Sequence, residues 1–131
     1  HSHYILNSRI NLTFDLNAAA SGKLFLKYID EPLREYYLSR MEFFPYTANT
    51  ILTREALEAE LDTIDQKGYS TEFEEIGLGI SCVAVPILKE DNTLFGTVSI
   101  IASSSVIMSV LDTALEPLHS CAGFIAGNIL P

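Results

Sequence analysis

The sequence predicts an α+β domain, an antiparallel sheet flanked by helices, and three observations carry that expectation. Ile80 to Leu88 is an apolar run launched by a Gly-x-Gly turn at Gly77 and Gly79. Five polar residues, Lys89 to Thr93, then send the chain back through a second run, Leu94 to Ile101. On either side lie stretches whose apolar residues recur at steps of three and four, the spacing that keeps one helix face inward: Leu57, Leu61 and Ile64 before the sheet, Leu111 to Ile129 after it.

Composition bounds the rest. With 131 residues, 48% of them hydrophobic, and a mean hydropathy of +0.23, the chain has core material for one domain. No stretch reaches the ~18 uninterrupted apolar residues of a membrane span, and no basic-then-apolar signal pattern opens the chain, so a soluble cytoplasmic protein without a membrane partner is expected. Eight basic against 17 acidic residues give a net charge of −9. That charge opposes a phosphate backbone, so any DNA contact must come from elsewhere. The two cysteines read as reduced thiols, because an apolar-rich, Cys-poor domain needs no staple. His1-Ser2-His3 resembles a tag remnant and carries no weight.

In chain order, Tyr4 to Leu6 and Ile10 to Phe14 alternate loosely with polar residues, as a half-buried strand would. Asn17 then precedes a run of helix formers that can start at Ala18 with Asn17 as cap. Gly22 is the oddity in that helix: it answers either to tight packing of helix on sheet, or to a ligand approaching backbone N–H groups near the helix start. Asp30-Glu31-Pro32 opens a short surface helix carrying Leu33, Tyr36 and Tyr37. Phe43 to Thr50 is a proline-marked connector. Thr53 caps the next helix, which Lys67 and Gly68 end.

Tyr69 to Glu75 reads as a strand whose end crowds Glu72, Glu74 and Glu75 together; a solvated edge is the expectation for Glu74 and Glu75. The run from Ile80 to Leu88 is apolar on both faces, as in a central strand covered on each side. Pro86 lacks an N–H, so pairing should fade before the Lys89 turn. Ser103 to Ser105 break the pattern and cap the last helix, which Pro117 should kink or split. Its stripe suits either the sheet or another subunit.

The stretch Lys67 to Ser103 resembles the effector-binding domain of IclR-type transcriptional regulators. The resemblance rests on Lys67-Gly68-Tyr69 at a helix end, the acidic strand end, Gly79-Ile80-Ser81-Cys82, and a strand ending around Ser99, with Ser8 to Leu26, Phe43 to Asp62 and the long last helix in matching order. It implies a GAF/PAS-like fold, a curved antiparallel sheet flanked by helices. It begins inside the family's effector domain, so the leading strands and the preceding winged helix-turn-helix have no counterpart here. It further implies a pocket made of backbone N–H groups at Ala20, Ser21 and Gly22, the Glu72 carboxylate, the Cys82 thiol and the Ser99 hydroxyl, walled by Phe14, Ile80 and Ile101. Where the family often has a second hydroxyl, Ile101 makes this site more apolar.

Neutral donors at a helix start suit a carboxylate, so a small organic acid or aromatic carboxylate is the implied effector. No catalytic histidine, metal-spaced cluster or dinucleotide fingerprint appears, so no enzyme, metal or cofactor is expected. The resemblance implies homodimers or homotetramers whose geometry tunes DNA binding through the absent domain. Two alternatives stand beside it: a GAF-like thiol reductase using Cys82 with Cys121, and a dimerisation module with a vestigial pocket. The apolar neighbours of Cys82 oppose the first.

Overall fold

Both faces of Ile80–Leu88 are apolar, and the chain covers both. The computed structural model describes residues 15–129; the strand expected at Tyr4 to Phe14 lies outside them. The elements run α1 Ala20–Tyr28, α2 Glu31–Arg40, α3 Arg54–Lys67, β1 Ser70–Phe73, β2 Ile80–Leu88, β3 Leu94–Ser103 and α4 Ser104–Asn128. The described sheet is antiparallel in the order β1-β2-β3, with β2 in the middle. Alternate residues of β2 serve two cores. Val83, Val85 and Ile87 pack with Ile107, Leu118 and Ala122 of α4, whereas Ala84 and Cys82 meet Ala20 and Leu24 of α1 and Leu57, Leu61 and Ile64 of α3.

The turn and cap chemistry is local. Thr53 Oγ1 accepts from the Ala56 amide at 3.2 Å, and Gly68, at φ +76°, ends α3 in the left-handed region. Thr53→Ala should cost about 1 kcal/mol. Urea unfolding checks this as a midpoint shift at unchanged slope.

Four expectations need correction. β1 covers Ser70–Phe73 only, because Glu74 takes φ +54° and turns the chain out of the strand. Pairing at Pro86 does not fade: Pro86 still faces Thr97, and the ladder is irregular only at Ile87/Leu88. Its missing N–H is tolerated because β1 reaches no further than Ala84, leaving that side of β2 without a strand neighbour among the described residues. Helix α4 runs unsplit through Pro117. Pro117 is exposed while Leu118 and Ala122 are buried beside it, so the break in the helix bonding falls on the solvent side and the sheet holds both halves. Helix α1 begins at Ala20, not Ala18, for a reason that belongs to the site.

The α4 stripe packs on the sheet, which decides between the two placements the sequence left open. Its outer side leaves Val106, Met108 and Phe124 exposed. No helix among the described residues is long and apolar enough to cross a membrane.

Candidate ligand site

The turn before α1 sets the geometry of its start. The amides of Ala18 and Ala19 both donate to the Asp15 carbonyl, at 3.1 and 3.3 Å, and the first helical bond runs from Lys23 N to Ala19 O at 3.0 Å. Ala19 occupies the cap position and has no side-chain oxygen, so the amides of Ala20, Ser21 and Gly22 have no side-chain cap among the described residues. Asn17 is not the cap. Its Nδ2 donates to the Ile51 carbonyl at 2.9 Å, tying this turn to the connector, and its buried Oδ1 has no partner among the described residues.

Gly22 has a cause that neither reading offered for it named. A Cβ there would sit 2.6 Å from the Leu16 carbonyl oxygen and 2.7 Å from Leu16 Cα. The glycine answers to the chain's own preceding turn, whose backbone fills that side of it.

Cross-strand register assembles the sheet half of the site. Glu72, Cys82 and Ile101 form one row, Ala84 and Ser99 fall in the next, and Ile80 is two residues from Cys82 on β2, so all point to the face carrying α1. Exposure changes across that face. Glu72 and Ala84 are buried, Ile80 and Cys82 half-buried, Ser99 and Ile101 exposed. Ala20 and Gly22 are buried while Ser21 is open. The face is thus closed over β1 and open over β3. Phe14 lies outside the described residues. A separate open cleft of about 320 Å³, lined by Asn17, Tyr37, Arg40 and Met41 among others, touches none of the expected site residues.

The acidic cluster is not a solvated edge. Glu75 is 8% exposed, and both its oxygens accept from Lys23 Nζ at 2.9 Å. Lys23 is fully buried, and also donates to the Thr71 carbonyl at 2.8 Å and, more distantly, to Glu60 at 3.4 Å. Glu74 Oε1 accepts from the Gly79 amide. Glu72 turns back onto its own chain, where Oε1 accepts from the amides of Glu75 and Ile76. Thr47 and Thr50 of the connector donate to the carbonyls of Glu74 and Glu75, both at 2.6 Å. Lys23 had a legible signal: with Ala20, Leu24 and Lys27 it falls at i, i+3, i+4 and i+7, a cation on the inward stripe that needs an acid.

Burial raises the Glu72 carboxyl above its ordinary value of 4.5, outweighing the two amides that favour its charge. An acid raised in the folded state favours folding at low pH, and that contribution disappears as pH rises from 4.5 through the raised value. Glu72→Gln keeps an oxygen for both amides. It should therefore be more stable than the parent at pH 7, with the difference shrinking toward pH 4.5 when urea midpoints are compared.

The surroundings of Cys82 oppose a thiolate. Burial lifts its thiol to about 11, and the Ser99 hydroxyl beside it pulls back only in part. Cys121 is exposed on α4, behind the opposite face of the sheet, so it cannot resolve a disulfide with Cys82.

A three-stranded antiparallel sheet with one long helix on one face and α1 and α3 on the other has the GAF/PAS-like α+β architecture. The family described as bacterial transcriptional regulator IclR C-terminal matches residues 2–126, and the chain belongs to that family. The repressor YiaJ of Escherichia coli strain K12 is 32% identical over 117 residues, which are 87% of this chain and 42% of that protein. The crystal structure of transcriptional regulator YaiJ superposes at TM-score 0.84 with 30% identity, over 92% of this chain and 68% of that one. A double mutant of the PobR inducer-binding domain from Acinetobacter, complexed with 3-hydroxybenzoic acid, shares the fold at TM-score 0.77 and 21% identity, over 85% and 66%. The chain spans between 30% and 42% of the length of the curated relatives it matches. These relatives are transcriptional regulators, not enzymes.

Proposed function

We propose that this domain senses a small organic acid or aromatic carboxylate and relays its presence to a winged helix-turn-helix domain elsewhere in the same cytoplasmic protein. The observation that carries the reading is the shared sheet face: Ile80, Cys82, Ser99 and Ile101 lie on the face that packs against α1, and that face stays half-open toward β3. The amides of Ala20 and Ser21 suit the carboxylate, Ser99 a hydroxyl, and the two isoleucines, with Phe14, an apolar body. Gly22 and Glu72 shape the wall: the one lets the leading turn approach, and the other holds the β1–β2 turn. A net charge of −9 repels an anion at long range, so capture depends on short donor contacts.

For the effector to regulate, it must bind one arrangement of a homodimer or homotetramer more tightly than another. Exposed Val106, Met108 and Phe124 on α4 suit such an assembly. Melting the domain against benzoate, 3-hydroxybenzoate, pyruvate and related acids tests the reading. At least one should raise Tm in a concentration-dependent way, and Ser99→Val should blunt the rise. No stabilisation by any acid counts against a sensing pocket.

A further inference from the structure

The Lys23 side chain has a task that the ligand contacts leave unexplained. It lies one residue past the three uncapped amides of α1, yet points away from solvent and spends its ammonium group on Glu75 and the Thr71 carbonyl. Among the described residues it makes the polar ties between α1 and β1 with its turn; otherwise α1 meets the sheet through Ala20 and Leu24, apolar contacts that tolerate sliding. Glu75 is itself held from three sides. Its amide is bonded by Glu72, its carbonyl by Thr50, and its Oε2 also accepts from the Phe73 amide at 3.2 Å. The connector that supplies Thr50 is tied in turn to the α1 leading turn through Asn17 and Ile51, and Tyr46 reaches Asp15 Oδ2 at 2.7 Å. A closed ring of hydrogen bonds therefore runs from α1 through Lys23 and Glu75 to the β1–β2 turn, across the connector, and back to the residues just before α1.

We propose that Lys23 and Glu75 are positioning residues: without touching the ligand, they fix the first turn of α1 over Cys82 at the spacing from Ser99 that a bound acid bridges. The proposal rests on the sensing reading for its functional consequence, and on geometry alone for its structural one. Hydrogen bonds are directional where apolar contacts are not, so an apolar pair in their place should keep the fold while releasing the register of α1.

The test is the double variant Lys23→Met/Glu75→Met in a Cys121→Ser background, which avoids leaving either charge buried alone. It should unfold cooperatively with a melting temperature near the parent's. Its remaining thiol, Cys82, should be alkylated by iodoacetamide at least about tenfold faster than in the Cys121→Ser parent, at a rate unchanged by low urea, which separates a shifted helix from global unfolding. Affinity for 3-hydroxybenzoate or pyruvate, whichever the parent binds, should fall at least about tenfold. A double variant that folds with parental Cys82 protection, or binds the same acid with parental affinity, overturns the proposal. Should the parent bind neither probe, the sensing reading is what fails, and the alkylation rates still decide whether the pair sets α1. A double variant that does not fold shifts the decision to Lys23→Leu/Glu75→Gln, which removes the tie, leaves no charge buried and keeps an acceptor for the Phe73 amide: accelerated alkylation in it supports the proposal, and parental protection overturns it.

Discussion

Lys23→Met alone is expected to destabilise the domain by about 3–5 kcal/mol, the cost of leaving one partner of a buried ion pair uncompensated. The fully buried ammonium has Glu75 at 2.9 Å on both oxygens and the Thr71 carbonyl at 2.8 Å, so its loss strands a carboxylate with 8% exposure and an acceptor on β1. Burial already holds the Glu75 carboxyl above its ordinary value against the pull of Lys23; without the lysine it should rise further. The variant should therefore regain part of its stability on mild acidification, as Glu75 takes up a proton on folding. Urea unfolding at pH 7 and pH 5 measures both effects. A loss below about 1 kcal/mol at pH 7 would mean that water reaches the pair.

Gly22→Ala should be destabilising by about 1–3 kcal/mol, even though alanine is intrinsically better in a helix interior by roughly 0.5–1 kcal/mol. The added carbon would meet backbone, Leu16 O at 2.6 Å and Leu16 Cα at 2.7 Å, and backbone cannot rotate aside as a side chain can. Relief requires the turn from Asp15 to Ala19 to move off α1, which strains the Asn17–Ile51 bond behind it. Binding of any acid at the α1 start should weaken with it. Thermal melting of the variant, alone and with the acid that stabilises the parent, reads out both losses.

The sheet was the most legible part of the chain because its signals are local. The Gly-x-Gly entry, the polar turn and the two apolar runs place β2 at Ile80–Leu88 as expected and start β3 at Leu94. Period-two alternation then puts Cys82, Ser99 and Ile101 on one face once the pairing partner is known. Helix α3 was equally plain, since Thr53 and Gly68 mark its ends chemically. The acidic strand end misled, because charge in sequence says nothing of what stands opposite. Glu75 is buried through Lys23, 52 residues earlier in the chain, and only the fold brings the two together. Gly22 misled for the same reason: its neighbour is the backbone of Leu16, and no residue type advertises where backbone will pass. Asn17 is a good cap by type, but Ile51 offered its amide nitrogen an acceptor and the helix started later.

The most direct measurement is amide chemical-shift mapping of the domain titrated with small carboxylates. If an acid is held between the start of α1 and the open part of the sheet, one of them should move the Ala20 and Ser21 amides together with those of Cys82 and Ser99, saturably and with a common affinity. Shifts that gather around Arg40 and Met41, or titrations that leave Ala20 and Ser99 still under every acid tried, would contradict it.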